Sequence, residues 1–171
     1  ALPISETLTI DVVNGGSVEI RAANGRRPVL DLGGLTITGS ENSSCTLNGL
    51  LITGAALDVP DAANNALNRL HLLHCTLVPG IALNPNGSPA QPDQASLQLA
   101  IAGLETVMER CIVGKIHSHE HAILKATDSI IDATAHDRVA ISALNNEAPG
   151  AILSLNACTV IGQVHTAEVD L

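Results

Sequence analysis

The sequence predicts an all-β solenoid, a parallel β-helix of about six or seven coils with three short strands per coil and protruding loops. Three observations carry this. One short pattern recurs four times, at residues 70–78, 106–114, 124–132 and 153–161. The apolar set is Leu, Ile, Val and Ala, with no Phe, Tyr or Trp. Such side chains stack well in a narrow interior that repeats, where large rings do not fit. Finally, alternation with period two is common along the chain and helical spacing is nearly absent.

The elements follow in chain order. Thr7-Leu8-Thr9-Ile10-Asp11-Val12 alternates polar and apolar, as do Ser17-Val18-Glu19-Ile20-Arg21 and Leu35-Thr36-Ile37-Thr38. Each reads as a strand with one apolar face. A weak copy of the repeat begins at Cys45, and the four full copies follow. Every full copy is a short strand, a two-residue bend, a Cys or Ser, and a second short strand. Residues 95–104 admit a helical reading, but their flanks and place in the repeat favour a strand. Cys45, Cys75, Cys111, Ser129 and Cys158 are expected to form one inward ladder of small residues, with spacings of 30, 36, 18 and 29. The shortest spacing is one bare coil, and the longer ones are a coil plus an insertion. The insertions are visible as turn-rich stretches at 58–65, 84–93 and 145–150. They are expected at one phase of the coil, protruding on one side. Stacked at about 4.8 Å, the coils would form a rod roughly 30 Å long.

Laddered cysteines point side by side, so buried reduced thiols are expected. Two disulfides, with three possible connectivities, are the alternative. No CxxC or CxxH spacing suggests a zinc centre.

Length predicts a single domain over 1–171. Ala1 in first place and an ending in mid-pattern lead us to expect a segment of a longer chain. Residues 1–6 show no basic-then-apolar leader pattern. There is no run of about 18 apolar residues, so no membrane span is expected. A net charge of −9 argues against nucleic-acid partners and against docking on anionic membranes.

Three stretches carry a wider likeness: residues 18–29, Leu47-Asn-Gly-Leu-Leu-Ile52, and His74-Cys-Thr-Leu-Val-Pro-Gly80. In these the chain resembles the pectate-lyase-like right-handed parallel β-helix superfamily, from about residue 17 onward. It also resembles β-helix segments of large, uncharacterised bacterial proteins. The resemblance implies a right-handed coil. It does not choose an activity, because the superfamily holds polysaccharide lyases and hydrolases, phage tailspikes and adhesins.

Two clusters are candidate chemistry. His117, His119 and His121 share one face if the strand runs straight through them, and three imidazoles can hold a divalent metal such as Zn²⁺. Against this, Gly162-Gln-Val-His165-Thr matches Gly114-Lys-Ile-His117-Ser, so His117 can owe its place to the repeat. Glu120 also suits a turn. The second cluster is Asp128, Asp132 and Asp137, with His136 and Arg138 beside them. The resemblance implies acidic sets of this kind in lyases and hydrolases, and glycoside cleavage needs two carboxyl groups at a set separation. The superfamily's compact catalytic motifs are missing, as are the aromatic faces on which sugars usually stack. No phosphate-binding loop or nucleophile elbow occurs, and no cofactor is implied.

The expected function is a non-catalytic structural scaffold or docking segment of a larger bacterial surface or tail-like assembly. Its expected partners are further copies at the solenoid ends, or more of the parent chain. Its place would be a bacterial cytoplasmic assembly or the cell surface. The alternative is a carbohydrate-active enzyme, a polysaccharide lyase or glycoside hydrolase, or a glycan-binding module.

Overall fold

The computed structural model describes residues 6–170. The first coil holds β1 (Thr7–Val12), β2 (Ser17–Arg21) and β3 (Val29–Leu32), and the second β4 (Gly34–Gly39), β5 (Ser44–Asn48) and β6 (Leu51–Gly54). The third holds β7 (Leu57–Val59), β8 (Arg69–Leu73) and β9 (Thr76–Leu77), and the fourth β10 (Ala95–Leu99), β11 (Glu105–Glu109) and β12 (Ile112–Val113). The fifth holds β13 (Lys115–Ser118), β14 (Ile123–Thr127) and β15 (Ile130–Asp132), and the sixth β16 (Val139–Ala143), β17 (Ile152–Asn156) and β18 (Thr159–Ile161). A seventh turn of the chain contributes β19 (Gln163–Val164) and β20 (Val169–Asp170).

Strands three apart in sequence pair in parallel. The first sheet is β1-β4-β7-β10-β13-β16-β19, the second β2-β5-β8-β11-β14-β17-β20, and the third β3-β6-β9-β12-β15-β18. The molecule is a right-handed parallel β-helix with three strands per coil. The alternation seen in the sequence becomes the division between interior and surface, because successive side chains on a strand point to opposite faces.

The interior is a set of ladders running along the axis. In the first sheet Leu35, Leu57, Leu97, Ile116 and Ile141 follow one another. In the second, Ile20, Leu47, Leu72, Met108, Ala126 and Leu155 do so. In the third, Leu30, Ile52, Leu77, Val113, Ile131 and Val160 do so. Aliphatic side chains fill this section without rings, and one continuous core extends from Val12 to Leu153. Residues 95–99 are strand, as the repeat implied.

The bend between the second and third sheets follows one recipe. A single residue takes the left-handed conformation, at Gly49, His74, Arg110, Asp128 and Ala157, with φ between 50° and 75°. The next residue turns inward. These inward residues are Leu50, Cys75, Cys111, Ser129 and Cys158, and each of the first four accepts an amide from the coil above through its backbone carbonyl. The small-residue ladder therefore holds from Cys75 onward. Cys45 departs from the expectation. It lies inside β5, in register with Val18 and Leu70, and Leu50 fills the bend position in its coil. All four cysteines are free thiols, three of them buried and Cys158 half-buried.

The insertions also depart from the expected single phase. Residues 60–68 and 144–151 connect the first sheet to the second, whereas the Pro-rich 78–94 connects the third sheet to the first. They protrude from two corners, on either side of the first sheet. Asn65 fastens the first of these loops: its Oδ1 accepts the Gly39 amide at 3.0 Å and its Nδ2 donates to the Pro60 carbonyl at 2.8 Å. Gly39 is needed there, since a Cβ would fall 2.3 Å from Ser43 Oγ and 2.9 Å from Leu67 Cδ1.

Candidate functional site

The outer face of the first sheet lies between the two sets of protruding loops. Register stacks Thr36, Asp58, Gln98, His117 and Ser142 in one column across β4, β7, β10, β13 and β16. These are the outward positions of strands whose alternate residues form the Leu and Ile ladder. Burial raises the Asp58 carboxyl above its ordinary value. Burial, with the positive charge of Lys115 adding to it, lowers His117 despite a side-chain contact to Asn146. Its Nε2 is buried with no hydrogen-bond partner. In both groups the shift disfavours the charged form, a consequence of desolvation.

Lys115 stands two residues before His117 on the same face. Its side chain is only 6 % exposed, and its ammonium lies 3.8 Å from a carboxylate oxygen of Asp93. Asp93 comes from the loop before β10 and is also reached by Arg138 at 3.4 Å. One exposed carboxylate thus faces two cations.

The three histidines predicted as a set are divided by a turn. His117 is on β13, while Glu120 and His121 form a turn just beyond the strand. The rings of His119 and His121 are 5.4 Å apart between centroids. The His121 amide donates to His119 Nδ1 at 3.0 Å, and His121 Nε2 lies 3.7 Å from Glu120 Oε1. The alternation that would put all three on one face stops at Ser118. Among the described residues no group of three or more His, Cys, Asp and Glu side chains is arranged to hold a metal ion. The likeness between the His117 and His165 segments is real repetition. Val164 lies in register with Ile141 and Ile141 with Ile116, so His165 falls on the His117 column. Its Nδ1 lies 3.0 Å from the Glu147 carbonyl oxygen.

The aspartates are likewise dispersed. Asp128 occupies the left-handed bend between the second and third sheets, 3.7 Å from Arg110. Asp132 ends β15 and accepts the Thr134 amide at 2.6 Å. Asp137 is exposed in the turn before β16. Two of the three are thus engaged in local contacts, and they do not share one groove.

Sequence reasoning missed the Asp58, Gln98 and His117 column. These residues are 40 and 19 positions apart, and only the register of three loop-separated strands brings them together. The chain matches no family model, no curated protein and no solved structure.

Proposed function

We propose that the chain is a non-catalytic structural scaffold or docking segment, a rigid β-helical spacer in a larger bacterial surface or tail-like assembly. On its three-strand coil and tight second bend, we place it nearest the pectate-lyase-like superfamily. The observation that carries the reading is the state of the terminal coils. Positions closed by a neighbour in every central coil are open there: Leu8 is 37 % exposed, Val164 38 % and Val169 48 %. Ile10, Val18, Ile20 and Leu30 at one end, and Leu155 and Val160 at the other, are only half-buried. The outer edges of β1, β2, β18, β19 and β20 have no strand beside them among the described residues. Open edges over apolar ladders are templates for further strands, and solenoid repeats gain stability from the next repeat in line. The end coils accordingly pair end-on with more strands.

Light scattering after size exclusion, at a high and a low concentration, tests this. The reading expects a species heavier than the 17.5 kDa monomer that dissociates on dilution. A 17.5 kDa monomer at both concentrations would overturn it. The carbohydrate-active alternative loses support from the dispersal of Asp128, Asp132 and Asp137.

A further inference from the structure

The chain has eight lysines and arginines against seventeen acidic residues. Five of the eight, Arg69, Arg110, Lys115, Lys125 and Arg138, lie beside carboxylates. The other three, Arg21, Arg26 and Arg27, have no carboxylate partner among the described residues. All three line one open cavity of about 580 Å³, together with the small residues between them and Pro28.

The cavity sits at the first coil's bend between the second and third sheets, and its walls are fastened. Arg21 is the last residue of β2, in register with Asn48. The Arg26 amide donates to the Ala23 carbonyl at 3.0 Å, closing a turn in which Gly25 takes φ +71°. That conformation suits glycine at the third position of a type II turn. The Pro28 carbonyl accepts the Leu51 amide at 3.0 Å, which ties the turn to the second coil. Arg27 reaches further still, donating from Nη2 to Thr76 Oγ1 on β9.

Guanidinium groups stay charged at any ordinary pH and present planar forks of donors that match oxyanions. Three of them without a carboxylate, on a protein of net charge −9, make this corner a singular place for negative charge to settle. We propose that the Arg21, Arg26 and Arg27 corner is a binding site for a small, multiply charged oxyanion. Tetrahedral phosphate or sulfate and a polycarboxylate present the same chemistry to it.

Calorimetric titration of the full chain at low ionic strength, with phosphate, sulfate and citrate in turn, tests the assignment. At least one anion is expected to bind saturably at one site. Arg21→Gln and Arg26→Gln are each expected to weaken that binding about tenfold, while Arg110→Gln, at an exposed and carboxylate-paired position, leaves it unchanged. Binding of phosphate and sulfate but not citrate would mark the site as tetrahedral, and the converse as a carboxylate site. Either supports the proposal. No saturable binding by any of the three, or equal weakening by Arg110→Gln, would overturn it.

Discussion

Ser129 holds the backbone of Cys111 in the coil below it. Its Oγ accepts the Cys111 amide at 3.1 Å and donates to the Thr127 carbonyl at 2.8 Å. Both residues are buried. The hydroxyl therefore completes the pairing of two coils at a bend where the strand ladder is interrupted. Ser96 does the same for the Gly114 amide at 2.7 Å, and Ser118 for the Ala151 amide at 2.8 Å. Interior serines in this solenoid satisfy backbone groups at corners, where sheet pairing cannot reach.

Removing the Ser129 hydroxyl leaves a buried amide without an acceptor, which costs about 1–3 kcal/mol. Ser129→Ala is expected to lower the free energy of unfolding by that amount in urea titration. A loss no greater than that of an exposed control, Ser17→Ala, would contradict this role.

The thiols should divide by position. Burial pushes Cys45 up to about 11 and Cys111 up to about 12, and it also raises Cys75. Cys158 lies half-buried in the sixth coil. Thiolate is the reactive form, so a thiol reagent at pH 8 is expected to label one cysteine quickly in the native protein and all four in denaturant. Mass spectrometry should place the fast label on Cys158. Rapid native labelling of Cys75 or Cys111 would contradict the inward bend ladder.

On the outer face of the second sheet, Glu105 accepts from Lys125 Nζ at 2.7 Å and from Arg69 Nε at 2.7 Å. Those two cations, Lys125 first, lower its carboxyl below the ordinary value of 4.5. A carboxyl lowered on folding contributes stability that is complete above its unfolded value and is lost as pH falls through the folded one. The wild-type protein should therefore lose stability more steeply than Glu105→Gln as pH drops below about 4.5. Urea midpoints measured from pH 6 down to pH 3 check this, and parallel slopes would contradict it.

The coil was legible because its chemistry is local. Alternation marked the strands, and a two-residue bend followed by a small Cys or Ser marked the corner at Cys75, Cys111, Ser129 and Cys158. Cys45 shares its residue type with the bend ladder but not its place, because the position asks only for an inward side chain after the left-handed residue. Leu50 meets that need after Gly49, and the alignment of Leu47-Asn48-Gly49-Leu50 with Leu72-Leu73-His74-Cys75 carried the signal. Loop phase was not legible. The spacing between bends gives the total inserted length of a coil, and the corner that receives it depends on which strands pair. The Asp58, Gln98 and His117 column was hidden for the same reason. The three-histidine set failed at Ser118, where the strand ends and period two stops applying.

End-on pairing is tested most directly by amide hydrogen exchange, followed by mass spectrometry at a high and a low protein concentration. The account predicts that peptides covering β1, β2 and β18–β20 become more protected at high concentration, while the already paired β8, β11 and β14 do not change. Edge peptides that exchange equally fast at both concentrations, or protection that rises only on the loops at 78–94 and 144–151, would contradict it.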